Sequence, residues 1–224
     1  MLQAVSQRFQ GSCMMVMRRD GAEVTFLGSS FLVHPDGYLI TAARFVTEPT
    51  GLFVAPPQTG QTFQPVTQEE VTPVPITVVA TDTAHDVALI QMQPDIPINM
   101  PPDILGSEDA DPIGSSLASF GVPFGYYRVH TVIGVQSVLS ARVESLSATK
   151  LLIFDRRVQY GDAGGPLVST ASGTIIGLVG GVFDPLELER RETPEDGLDV
   201  HSDLSYAKSI EYAKALLEAA LPAG

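Results

Sequence analysis

The sequence predicts an all-β protein, a barrel or sandwich, closed by one C-terminal helix. Three observations carry that reading. Short apolar, β-branched runs recur between turn signals along most of the chain. The 20 glycines and 17 prolines are spread out, so they punctuate many short elements. Only residues 205–221 keep a helical period, with Ile210, Ala213, Leu217 and Ala220 on one apolar stripe.

The elements follow in order. Residues 13–17 read as a first strand, ended by a turn at Asp20-Gly21. Residues 24–26 and 30–33 read as two halves of a second passage. The turn Pro35-Asp36-Gly37 returns the chain into 38–41, which makes a hairpin. Val54 opens another strand, and the Gln-, Thr- and Pro-rich stretch 58–75 reads as a loop or edge strands. Two β-branched runs, 76–80 and 87–92, flank a short turn. Residues 94–116, rich in Pro and Asp, read as a connection. Further strands are expected at 116–120, 129–140 (broken near Gly134), 141–145, 151–154, 166–169 and 174–179.

Composition narrows the function. The chain has 224 residues, enough for one domain or a two-lobed unit. At 44% hydrophobic and 17% charged residues it is not a disordered chain. Its net charge of −13 argues against a nucleic-acid backbone or an anionic membrane surface as partner. No apolar run is long enough to span a bilayer. The N-terminus lacks the charged and apolar regions of a leader, so a cytoplasmic location is expected, or a periplasmic one if a leader was removed. Cys13 stands alone, which excludes an internal disulfide and reads as a small buried apolar residue.

Four segments carry a recognisable pattern. The first is Gly28-Ser29-Ser30-Phe31, followed by Asp36-Gly37 and then Thr41-Ala42-Ala43-Arg44-Phe45-Val46. The others are His85-Asp86-Val87-Ala88, Gly121-Val122-Pro123-Phe124-Gly125, and Gly161-Asp162-Ala163-Gly164-Gly165-Pro166-Leu167. In this order and spacing the chain resembles the trypsin-like serine proteases, most closely the HtrA/Deg branch, over roughly residues 12–222. The resemblance implies two antiparallel β-barrels with a C-terminal α-helix, all within a single peptidase domain over 1–224. The first lobe would span about 12–98, a connection 99–111, the second lobe about 112–204 and the helix 205–222. Members of that branch usually carry a peptide-binding PDZ domain after this helix; the sequence ends at Gly224, and none is expected within it.

The departures bear on function. In the family a neutral His takes the proton of a Ser hydroxyl, and a carboxylate holds that His in the right tautomer. Here the His position holds Arg44 and the Ser position holds Ala163; only Asp86 remains. A guanidinium has no lone pair to accept a proton, and a methyl group cannot attack a carbonyl. The resemblance also places an oxyanion hole at Gly161, Asp162 and Ala163, whose N–H groups are expected to form an anion-accepting notch. Arg44 is expected to pair with Asp86. If the register holds, Arg157 sits at the floor of the specificity pocket and would favour an acidic or polar side chain.

The remaining candidates read as structural or solvent-facing. Ser29 and Ser30 lie in a first-lobe strand, His34 in a hairpin turn, and His85, His130 and His201 outside any matched position. No His/Cys/Asp spacing suggests a metal, and no Gly-rich phosphate loop suggests a nucleotide, so neither metal nor cofactor is expected. Residues 184–203 hold 8 of the 26 acidic residues and are a candidate docking loop for a partner, with 58–75 as its counterpart on the first lobe. The expected function is therefore a pseudoprotease. It would take a protein or peptide in the cleft between the lobes and act as a binding, scaffolding or regulatory subunit. The alternative is a serine endopeptidase captured as an inactivated variant.

Overall fold

The computed structural model describes residues 2–59, 62–93, 98, 100, 103–184 and 202–221. The first lobe contains β1 (Cys13–Asp20), β2 (Glu23–His34), β3 (Tyr38–Thr41), β4 (Leu52–Ala55), β5 (Val74–Asp82) and β6 (Val87–Met92). They close into an antiparallel barrel in the order β1-β2-β3-β6-β5-β4. The second lobe contains β7 (Ser116–Gly121), β8 (Ile133–Glu144), β9 (Lys150–Phe154), β10 (Pro166–Ser169), β11 (Ile175–Val182) and β12 (Ser205–Ser209). These close in the order β10-β11-β12-β9-β8-β7. The all-β double barrel expected from the sequence is the fold observed. No described helix is long and apolar enough to cross a membrane.

The side-chain alternation of strands explains why both lobes are needed. On β1, Val16 points into the first barrel, while Cys13, Met15 and Met17 join a cluster shared between the lobes. On β6, Ala88 and Ile90 fill the barrel, while Val87 and Leu89 face that shared cluster. Strands buried on both faces read as continuous apolar runs, which is how 87–92 looks in the sequence. The second barrel has its own interior, around Leu139, Leu152, Phe154 and Leu167, and contributes Phe120, Val168 and Leu178 to the shared layer. Register shifts at Val16/Met17, Leu32/His34 and Val78/Ala80 bend the first sheet enough to close; Leu139/Ala141 and Val179/Gly181 do so in the second.

Three elements differ from the sequence reading. The segment 205–209 is strand β12, not the first turns of the helix. Its backbone is paired on both sides, with β11 and β9, and the helix α2 (Ile210–Ala220) begins only afterwards. The Ser209 hydroxyl accepts the Glu211 N–H at 3.2 Å, which caps the new helix. Residues expected as two strands, 129–140 and 141–145, form the single strand β8, bent by the shift at Leu139/Ala141. An N-terminal helix α1 (Leu2–Phe9) was not expected; it buries Val5 and Phe9, and the Phe9 ring stacks on Phe120 at 5.9 Å.

The described part of the connection is strapped to the second barrel. The Gly106 N–H donates to the Ile175 carbonyl at 2.8 Å, and the Ile175 N–H to the Ile104 carbonyl at 2.9 Å. The stretch after β4 leans on the second lobe as well: the Gln58 N–H donates to the His130 carbonyl at 2.8 Å and the Gln68 N–H to the Arg128 carbonyl at 2.9 Å. Most of the acidic stretch 184–203, with His201, lies outside the described residues.

Candidate functional site

The site forms where the ends of β3, β6 and β12 meet the loop before β10. Arg44 sits in a short 3-10 turn directly after β3. Asp86 sits in the turn that opens β6, with φ of 52°, a left-handed conformation unusual for a residue other than glycine. Its contacts hold it there. Its Oδ1 accepts the backbone N–H of Arg44 at 2.8 Å, and its Oδ2 accepts the Arg44 guanidinium. Its own backbone carbonyl accepts the Lys208 ammonium at 3.1 Å, and the same ammonium also donates to Oδ2.

The sequence does not single out Lys208, because the helical pattern over 205–221 gives no sign that this residue lies on a strand facing the other lobe. On β12 its side chain is only 6% exposed and points across the lobes to Asp86. Arg44 crosses in the other direction. Its Nη2 donates to the Gly180 carbonyl of β11 at 2.9 Å, and its guanidinium packs over the Phe45 ring at 4.8 Å. Asp86 therefore faces two cations, one from each lobe. Burial pushes its carboxyl upward, yet the charges of Lys208 and Arg44 outweigh that and hold it below the ordinary carboxylate range. Burial lowers the Lys208 ammonium to about 8, although Asp86 pulls it the other way; Arg44 adds to the lowering.

The loop before β10 carries the Gly-Asp-Ala-Gly-Gly segment. Tyr160–Asp162 form a 3-10 turn, with the Gln159 and Asp162 side chains bonded reciprocally to its backbone. Within it, the Asp162 N–H donates to the Gln159 carbonyl at 3.0 Å, and the Ala163 N–H faces the Tyr160 carbonyl at 3.4 Å. Two of the three N–H groups expected to form an anion-accepting notch at Gly161, Asp162 and Ala163, those of Asp162 and Ala163, thus face carbonyls of the preceding residues in this conformation. The reason lies under the turn. Asp162 is buried, and its Oδ2 accepts both the Gln159 N–H and the Arg156 guanidinium at 2.9 Å. Burial pushes the Asp162 carboxyl up; Arg156 and the Gln159 N–H oppose that without cancelling it.

Ser29 fastens this loop to the first lobe. Its hydroxyl donates to the Gly161 carbonyl at 2.7 Å and accepts the Val122 N–H at 3.0 Å, while its backbone N–H donates to the Ala163 carbonyl at 2.9 Å. Gly164, with φ of 85°, is packed so closely that a Cβ there would lie 2.0 Å from the Ser29 carbonyl oxygen. The structure thus brings Arg44 and Asp86 into contact and holds Ala163 against Ser29.

The other candidates lie elsewhere. Arg157 is more than half exposed and reaches Asp203 at 3.9 Å, a surface contact; its neighbour Arg156 is the largely buried arginine that reaches Asp162. His34 faces Asp36 in its hairpin turn, at 3.6 Å. His85 bonds Asp82 at 2.6 Å and stacks on Tyr212 of α2 at 3.8 Å. His130 is buried, and burial lowers its imidazole, helped by Arg128. Ser30 bonds the Met14 carbonyl at 3.2 Å. Burial, with the Asp162 charge, pushes the Cys13 thiol up to about 12, so it stays protonated and carries no information about redox compartment.

Comparison with known proteins agrees with this architecture. The family model for the trypsin-like peptidase domain matches residues 28–178. The magnetosome formation protease MamE of Paramagnetospirillum magneticum is 25% identical over 166 residues, 71% of this chain and 20% of the relative. A probable periplasmic serine endoprotease, DegP-like, of Chlamydia pneumoniae is 28% identical over 151 residues, 67% of this chain and 28% of that protein. The chain therefore spans less than a third of the length of these relatives. Among solved structures, the HtrA-type protease AlgW with a tripeptide superposes with a TM-score of 0.70 at 20% identity, covering 98% of this chain and 63% of that one. Two six-stranded barrels, the matched glycine-rich and Asp86 segments, and a family model that runs from Gly28 to Leu178 place this chain in the trypsin-like peptidase family, among relatives of the HtrA/Deg type.

Proposed function

We propose that this chain is a non-catalytic member of its family, a pseudoprotease that takes a protein or peptide in the cleft between its lobes and serves as a binding, scaffolding or regulatory subunit. The observation that carries the reading is the ion cluster on Asp86. Its carboxylate is committed to Arg44 and Lys208, neither of which can serve as the general base of an acyl transfer while bound there as a cation. Ala163 supplies no nucleophile. The turn at residues 160–162 supports the reading, since the Asp162 and Ala163 N–H groups bond carbonyls of the preceding residues instead of facing outward as oxyanion donors. A net charge of −13 supports a protein or peptide partner over nucleic acid.

For the compartment, the expectation of a cytoplasmic protein finds no support among the relatives. The DegP-like proteins of Chlamydia pneumoniae and Pseudomonas fulva carry the word periplasmic in their names, and we favour that location here. The second reading, an endopeptidase captured in inactivated form, draws on the retained Gly-Asp-x-Gly-Gly-Pro segment. It expects Arg44→His with Ala163→Ser to restore activity unaided.

The test is to titrate the protein into fluorescein-labelled β-casein, following anisotropy and then gel mobility. Saturable binding with intact casein is the expected result. Casein fragments would overturn the non-catalytic reading, and a flat anisotropy curve would overturn the peptide-binding part of it.

A further inference from the structure

The two oxygens of Asp86 are used differently. Oδ1 takes the backbone N–H of residue 44, a contact that does not depend on the side chain there. That leaves Oδ2 as the oxygen available to whatever side chain residue 44 carries, and Oδ2 is already shared with Lys208. Lys208 is 6% exposed, comes from the opposite lobe, and is anchored a second time on the Asp86 backbone carbonyl. It is a fixed part of the site.

Resting on the non-catalytic reading above, we propose that Lys208 is a positioning residue that quenches Asp86, a third lock on the site that is independent of Arg44 and Ala163. In a working Ser-His-Asp arrangement the carboxylate must orient an imidazole and stabilise the imidazolium that forms as the serine proton is taken up. A buried ammonium on the same oxygen opposes both roles. It competes for the oxygen lone pairs, and its charge disfavours a second cation a few ångströms away. Restoring histidine and serine at positions 44 and 163 therefore leaves the base weakened. The groups facing Asp86 are Arg44 from the first lobe and Lys208 from β12, so removing the lysine leaves the carboxylate free for residue 44 alone.

The experiment compares four proteins by the rate of fluorophosphonate labelling, with thermal unfolding to confirm that each is folded. They are the parent, the double variant Arg44→His/Ala163→Ser, the double variant with Lys208→Met added, and the double variant with Lys214→Met added as a control on α2. A fifth, carrying Lys208→Gln, replaces the Met variant if that one does not fold. We expect no labelling of the parent, slow or absent labelling of the double variant and of the control, and labelling at least tenfold faster once Lys208 is neutralised. An NMR titration gives a readout that packing alone would not move: the introduced imidazole should titrate about one pH unit higher without Lys208. Equal rates and equal midpoints in the two backgrounds would overturn the role of Lys208, as would two folded variants of which neither labels. Labelling of the parent would instead overturn the non-catalytic reading itself.

Discussion

At the scale of single residues, Asp86 and Lys208 form an unequal pair. Asp86 keeps the Arg44 backbone N–H and guanidinium if Lys208 is lost, whereas Lys208 keeps only a carbonyl if the carboxylate is lost. Removing one partner of a buried pair strands the other charge and costs about 3–5 kcal/mol; Asp86→Ala should fall near the low end, about 3 kcal/mol, because a quarter of that side chain is exposed. Lys208→Met should cost clearly less, both read as shifts of the midpoint in a urea titration. The pair also predicts a pH dependence. Asp86 is lowered by folding, so its contribution is present above the ordinary carboxylate range and is lost as pH falls through its folded value. Lys208 is lowered from 10.5 to about 8, so between those values the unfolded chain binds the proton more tightly. Stability from this group rises with pH across that window, and the rise should be absent in Lys208→Met. Glycine 164 is a separate case. Its positive φ is shared with Gly21, but a Cβ at Gly21 would meet open space, whereas one at Gly164 would meet the Ser29 carbonyl oxygen. Gly21→Ala should cost about 1–2 kcal/mol, and Gly164→Ala more than about 3 kcal/mol or fail to fold.

At the scale of elements, β12 and α2 share a junction at Ser209. The strand closes the second barrel and delivers Lys208; the helix then packs Ile210, Ala213 and Leu217 into the layer between the lobes. Tyr212 on the same helix stacks on His85, next to Asp86, and its hydroxyl accepts the Lys150 N–H at 2.9 Å. Because Ser209 caps α2 and is itself buried, Ser209→Ala should lower stability by about 1 kcal/mol, read as a lower thermal midpoint with the barrel signals retained.

At the scale of the whole molecule, polar bonds reinforce a shared apolar layer. Ser29 ties the first lobe to the glycine-rich loop, Arg44 and Lys208 cross in opposite directions, and Gln58 bridges to His130. The lobes should therefore unfold together, in one calorimetric transition. Ser29→Ala removes a donor to the Gly161 carbonyl and strands the buried Val122 N–H, so a loss of about 2–3 kcal/mol is expected. Two resolved transitions in the parent would contradict the coupling. The sequence by itself was enough for most of the strands and for the order of the motifs, because alternation and turn chemistry are local properties; the double barrel came from the family resemblance that those motifs carry. It could not show Lys208 at the site, since a lysine among Ser205, Tyr206 and Ala207 looks solvent-facing until β11 and β9 pair on either side of it. Nor could it show the Ala163 N–H turned to the Tyr160 carbonyl, or Asp162 buried beneath that turn against Arg156. Those contacts join residues tens to more than a hundred positions apart or depend on burial by the second barrel, and only the packed tertiary structure decides which partner an ionised side chain finds.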